Sequence, residues 1–302
     1  MAVGDIITAA RYNLIQGRIE TVMGLGSGDF GYGQTLTSSQ VNVEKIIEAD
    51  DLNALYTDMS KARIHQTGSV PSVIAQVAEG DIIEESGSVE PTGFADFESL
   101  MTDIETNRFD MAESQSTTST GITSQRSTPW NTTLTHTIDI NFTDTDTIRH
   151  FFNAGGELRL QAGITGGSGS KTTNWKTMLS NMGIIKLNYA NTTSTGTGAD
   201  SGTGFYDLGS AWATIFTKSG SGIYSENLYK VEARRPTATK IQLRASFQDL
   251  DPTAPDIDNP SYPPVDENVD GVLLSTCQYK IASGVNVSLV DRTPAFSNAT
   301  TI

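Results

Sequence analysis

The feature that most limits the fold is a strict alternation of apolar and polar residues in the C-terminal part of the chain. Leu134, His136, Ile138, Ile140 and Phe142 fall at every second position, as do Leu158, Leu160, Ala162 and Ile164, and then Ile241, Leu243, Ala245 and Phe247. A period of two sends alternate side chains to opposite faces, so each segment reads as a half-buried β-strand. Gly155-Gly156, Gly166-Gly167 and Asp270-Gly271 supply turns between them. One helix is expected at 172–182, with Trp175, Leu179 and Met182 on one face. Gly183 would end it and Ile184–Tyr189 would be the next strand. The 302 residues include 39 Thr and 28 Gly, which suit pleated surfaces and turns respectively. Residues 128–302 are therefore expected to form a mainly antiparallel β-sandwich or jelly-roll-like domain.

The N-terminal part follows a different rule, because it repeats. Ile6-Ile7-Thr8-Ala9 leads to Asn13, and forty residues later Ile46-Ile47-Glu48-Ala49 leads to Asn53. Gly80-Asp81-Ile82-Ile83 echoes Gly4-Asp5-Ile6-Ile7, and Phe97, Leu100 and Ile104 match Leu52, Leu55 and Met59. Each unit reads as an extended Ile-Ile segment feeding an amphipathic helix. Ile15, Ile19, Val22 and Met23 form the first stripe, and Phe94 and Met101 join the third. Units this short bury little alone and need neighbours, either one another or other subunits. The stripe residues Leu52, Leu55, Met59, Phe97, Leu100 and Ile104 are thus candidates for interaction. The organisation expected is α+β and multi-domain. A helical repeat and assembly region spans 1–113, a Ser/Thr-rich linker 114–127, and the β domain 128–302.

Charge excludes several functions. Residues 1–127 hold 7 basic and 19 acidic groups, and residues 128–302 hold 13 and 16, for a net charge of −15. With no basic stripe, nucleic-acid binding has no electrostatic footprint. No apolar run approaches the roughly 18 residues of a membrane span, and Met1–Asp5 shows no secretory pattern. The single cysteine, Cys277, rules out a disulfide or cysteine–zinc framework within one chain.

Catalytic signatures are weak. Gly26-Ser27-Gly28-Asp29-Phe30-Gly31 matches GxGxxG formally, but it follows a helix where a dinucleotide site needs a strand. Neither a P-loop nor a GxSxG elbow is present. Of the three histidines, His136 and His150 read as structural, and His65 reads as a surface group near a helix C-terminus. Glu157, Glu226 and Glu232 are the carboxylates that could converge in a glycoside hydrolase, the least favoured reading. Asp266, Asn268 and Asp270, with Gly271 at the sixth position, imitate the first half of a calcium loop. The twelfth position is Cys277, where the loop needs Glu, so Ca²⁺ is the only cofactor considered and none is otherwise expected. Trp130, Trp212, Tyr206, Tyr224, Tyr229 and Tyr262 are candidate recognition aromatics. Tyr262, between prolines, is expected to be exposed and to dock on a neighbour. The polar stretch 191–204 suits surface display.

Several segments carry a family likeness. These are Gly4-Asp5-Ile6-Ile7 with Ala9 and Asn13, its echo at 46–53, Ala62-Arg63-Ile64-His65-Gln66-Thr67-Gly68, and the run from Phe151 to Leu160. In them the chain resembles virion structural proteins of tailed bacteriophages, in particular those of T-even-like marine cyanophages. The resemblance implies a non-enzymatic neck, tail or fibre component made in the host bacterial cytoplasm and located in the virion. It implies homo-oligomers, as trimers or rings, and contacts with other virion proteins. The alternative is a receptor- or carbohydrate-binding module of a tail fibre that recognises a host surface glycan. Neither reading involves nucleic acid or membrane insertion.

Overall fold

The structure, a computed structural model, describes residues 7–26, 30–81, 83–86, 93–251 and 267–302. It is α+β, with two antiparallel sheets and a mostly β C-terminal region. The chain divides into two compact units. The first gathers Met1–Thr117, Arg149–Gly156 and Ile281–Thr293, and the second gathers Thr118–Ile148, Glu157–Lys280 and Pro294–Ile302. The division differs from the expected one in two ways. Two later segments return to the first unit. The 114–127 stretch is not a free linker, because it contributes strands.

Three helices build the first unit: α1 (Ala9–Met23), α2 (Ala49–Thr67) and α3 (Phe94–Thr106). Thr8 caps α1 by accepting from Arg11 N–H at 3.2 Å. Asp51 and Asp96 accept from the N–H of Glu48 and Gly93, which fixes the entries to α2 and α3. The apolar stripes close on one another: Ile15, Ile19, Leu52, Leu55, Met59, Phe97, Leu100 and Ile104 are all buried. Each such side chain contributes roughly 1.5–3 kcal/mol. The neighbours these helices need are therefore supplied by the same chain. Leu52, Leu55, Met59, Phe97, Leu100 and Ile104 are core residues, and contact with a partner falls to others.

The sequence echo reappears as matching hydrogen bonds. Asn13 donates from Nδ2 to Val41 O and accepts at Oδ1 from Val41 N–H, both at 2.8 Å. Asn53 makes the same pair of bonds to Val77, both at 2.9 Å. Three residues after each clamped valine the backbone turns through positive φ, at Glu44 (76°) and Gly80 (95°). The turn closes identically, Lys45 N–H to Asn42 O and Asp81 N–H to Ala78 O, both at 3.1 Å. Glu98 stands where α1 and α2 carry the clamping asparagine, and it instead takes Arg11 Nε at 2.7 Å.

The second unit is built on its strands. β1 (Ser116–Thr118) precedes β2 (Ile122–Arg126), β3 (Leu134–Asn141), α4 (Thr145–Asn153), β4 (Glu157–Thr165) and α5 (Ser170–Met182). Then come β5 (Ile185–Leu187), β6 (Thr192–Ser194), β7 (Ala199–Asp200), β8 (Ala213–Ser219) and β9 (Leu228–Thr237). β10 (Lys240–Gln248), β11 (Val272–Ala282) and β12 (Ala295–Thr300) complete the set. One sheet runs β12-β3-β10-β9-β8-β7, and the other runs β1-β11-β4-β5-β6, with β2 also on β11. Register follows the alternation: Ile138 faces Leu243, which faces Ala233, and all three are buried. His136 Nδ1 meets Ser275 Oγ at 2.9 Å and joins the two sheets. The 191–204 stretch, expected as display loop, contains β6 and β7.

Glu44 is the one non-glycine at positive φ among the described residues, and its counterpart in the echo is Gly80. A left-handed conformation costs a residue with a Cβ about 1–2 kcal/mol. Glu44→Gly is expected to raise the unfolding free energy by about 0.5–1 kcal/mol, less than the strain because glycine loses more chain entropy. A denaturant midpoint that falls instead would show that the Glu44 side chain holds the turn.

Candidate functional site

His65, expected at the surface, is fully buried: its Nε2 lies 3.1 Å from Ala154 O, and its ring packs 5.1 Å from that of Tyr32. Burial lowers its pKa to about 4, so it stays neutral near pH 7. The correction has a physical source. The segment 149–156 returns to the first unit, and no local pattern announces a contact 89 residues away. His136 faces inward as expected, between Ser275 and Asn298. His150 is also buried, with Arg292 Nη1 at 2.6 Å from its Nδ1.

The carboxylates do not converge. Glu157 is on β4 and pairs with Arg159 at 2.8 Å. Glu232 is on β9 in the other sheet, held by Arg244 at 2.7 Å and Lys230 at 3.3 Å. Glu226 is exposed and outside the strands. Asn268 is exposed, and Asp270 N–H donates to Thr172 Oγ1 at 2.8 Å. Asp266 and Tyr262 lie outside the described residues. Among the described residues no three acidic, histidine or cysteine groups are arranged to hold a metal. Gly26 and Gly31 follow α1, and the next helix is α2, so a strand–turn–helix phosphate cradle is not formed by the described residues. Trp130, Tyr224 and Tyr229 are core residues, while Tyr206 and Trp212 are half-buried.

A cluster unforeseen in the sequence sits where α5 begins. Lys171 is fully buried, with Nζ 3.0 Å from Asp249 Oδ2 and 3.2 Å from Asp251 Oδ1. Both carboxyls are also buried. Lys171 N–H donates to Glu267 Oε2 at 3.3 Å, and Tyr224 OH donates to the same oxygen at 2.8 Å. Glu267 therefore places a negative charge at the helix N-terminus, where the macrodipole favours one. Burial pushes Asp249 up to about 7, the hydrogen bond with Asp251 adds to this, and Lys171 opposes it. With a proton on Asp249 the interior holds one ammonium, one carboxylate and one carboxylic acid, and the buried charge balances. Lys171 stands one helical turn before Trp175, on the buried face, and that spacing was the available signal.

Beside the cluster, a hollow of about 520 Å³ is lined by neutral groups: Gly169, Ser170, Thr173, Asn174, Thr177, Ser221 and Tyr224. Thr173 and Thr177 donate to backbone carbonyls of their own helix, and Asn174 donates to Ser221. The cluster holds the end of β10 to the start of α5. It presents neither a nucleophile activated by a base nor a pair of carboxylates open to substrate. No helix among the described residues is long and apolar enough to cross a membrane. Comparisons with protein-family models, with curated proteins and with solved structures find no match to the chain.

Two measurements check this description. Lys171→Met strands two buried carboxyls without their cation and is expected to cost about 3–5 kcal/mol of unfolding free energy. For Asp249 the folded pKa is raised, so its contribution is present at low pH and lost as pH climbs from the ordinary carboxylate range through about 7. Asp249→Asn mimics the protonated form and removes this dependence. The drop in denaturant midpoint between pH 5 and pH 8 should be smaller in the variant than in the parent.

Proposed function

We propose that this protein is a non-catalytic structural component of a tailed-phage virion, in the neck, tail or fibre apparatus. It works by associating with copies of itself and with other virion proteins. The observation that carries this reading is where the exposed apolar side chains lie. Of eleven large apolar residues exposed among those described, nine belong to the first unit, including Leu14, Val43, Ile46, Val70 and Val285. Val43 and Ile46 are 85% and 80% exposed, and they flank the strained turn at Glu44. Scattered single cases are ordinary, but this concentration in one unit supports a surface meant to be covered. The recurring Asn13 and Asn53 clamps support an internal duplication. Duplicated helical units suit a symmetric docking platform. The finer fold reading is a sandwich of the two sheets, supported by the His136–Ser275 link across them; it would provide the rigid body that projects or packs.

A second reading rests on the neutral hollow at α5. Its hydroxyl and amide lining suits an uncharged polyol, as a carbohydrate-binding fibre module requires. The structural reading is preferred because those side chains already satisfy one another.

The test is the solution mass of the full chain by size-exclusion chromatography with light scattering, over a hundredfold range of concentration. A discrete multiple of 32.3 kDa is expected. A monomer at every concentration would overturn self-assembly.

A further inference from the structure

The outward face of β3, β10 and β9 is basic on an otherwise acidic chain. Lys230, Arg234, Lys240 and Arg244 share it with only Asp139 and Glu232. Both carboxylates are already engaged. Asp139 takes Lys240 at 2.6 Å and Gln242 at 2.6 Å, and Glu232 takes Arg244 and Lys230. Arg234 donates Nε to Gln242 at 2.6 Å, and its charge acts on Asp139, which Lys240 and Gln242 already bond. Its guanidinium and that of Arg244 lie 4.4 and 4.3 Å from the half-buried Trp212 ring. Stacking on the ring fixes both arginines in place, so a carboxylate arriving there meets preformed donors at low entropic cost. Tryptophan and arginine are the residues that most often anchor protein interfaces.

The complementary surface is on the first unit. The turns that lead into α2 and towards α3 present Glu44, Glu48 and Asp50, and Glu79, Asp81 and Glu84, all exposed. Lys45 is the only cation in these stretches, and Asp51 occupies it at 2.7 Å.

We infer that the Trp212–Arg234–Arg244 face of one copy docks a carboxylate-bearing turn of the first unit of another copy. This rests on the self-assembly reading above and adds to it a specific contact. The contact joins two different surfaces, so it is heterologous and propagates into a closed ring or an open stack. Opposite charges speed encounter, and Arg–carboxylate pairs fix the register.

The test uses the full chain, with light scattering at low and high salt and zero-length amine–carboxyl crosslinking of mixed isotopically light and heavy protein. Three variants are compared with the parent: Arg234→Glu, Trp212→Ala, and Lys186→Glu on β5 as a control outside the face. Unchanged circular dichroism and unfolding midpoints establish that each folds. Should Arg234→Glu fail to fold, Glu44→Lys with Glu48→Lys removes the same contact from the acidic side. The expected result is an oligomer weakened at least tenfold by high salt, by Arg234→Glu and by Trp212→Ala, and unaffected by Lys186→Glu. Crosslinks between light and heavy copies should join Lys230 or Lys240 to the acidic turns. An oligomer that persists in Arg234→Glu and Trp212→Ala overturns the docking face and leaves self-assembly standing. A parent chain that is monomeric throughout overturns both.

Discussion

The described interior takes many polar and charged side chains inside, among them Asp58, His65, His136, Asn153 and Lys171. An unpaired buried polar group costs about 1–3 kcal/mol, comparable to what a buried aliphatic side chain contributes. Polar pairing therefore sets how the apolar stripes can be arranged. Asn13 and Asn53 each cancel both backbone groups of a valine, and so tie an extended segment to a helix. The buried Asp58 accepts from Thr37 and Ser38 N–H and does the same for the first connection. His136 bridges the sheets, and Lys171 lies between two buried aspartates and balances the charge of one. Each of these is a small interaction placed where the core has no apolar side chain to offer.

This arrangement has consequences for function. Groups that could be chemical actors are instead spent on the interior. His65, His136 and His150 are buried, and Glu157 and Glu232 are ion-paired on separate sheets. Lys171 is enclosed. Among the described residues, the outside includes exposed aliphatic and acidic residues on the first unit and a basic stacked cluster on the second. The assembly proposal draws on these surfaces; its specificity would come from pairing unlike charge around apolar contact. That proposal draws on the exposed apolar side chains of the first unit and the docking face on the Trp212–arginine geometry, so the docking face can fail while self-assembly stands.

The sequence was informative wherever a local period decides the outcome. The strands at 134–142, 158–164 and 241–247 lie where alternation puts them, and the helix expected at 172–182 runs from Ser170 to Met182. The helical stripes are buried as their spacing demands. Asn13 and Asn53, which stand at matching places in the segments 6–13 and 46–53, make matching clamps. Reading went wrong where partners are distant in sequence. Ser/Thr composition suggested a linker at 114–127, but Ile122–Arg126 pairs with β11 about 150 residues on. Polarity suggested an open loop at 191–204, but cross-strand bonds order part of it as strand. The helix Thr145–Asn153 was not foreseen either: Asp144 caps it by accepting from Thr147 N–H at 2.6 Å, but at nine residues it is too short for a period to be read.

By itself, then, the sequence determined the kind of the strongly periodic elements and the face each would bury, because hydrophobic period is a local property of the chain. It also determined the net charge of −15, from which nucleic acid is not expected as a partner. Only the tertiary structure decided which buried charges meet. Lys171 is 78 residues from Asp249, and His65 is 89 from Ala154. Only the tertiary structure, too, turned the helical stripes from candidate contact surface into core, and left Trp212, Arg234 and Arg244 together on an outer face. The reason is the same in each case. Pairing across long loops depends on sheet register and on how returning segments pack, and neither is encoded within the span of one element.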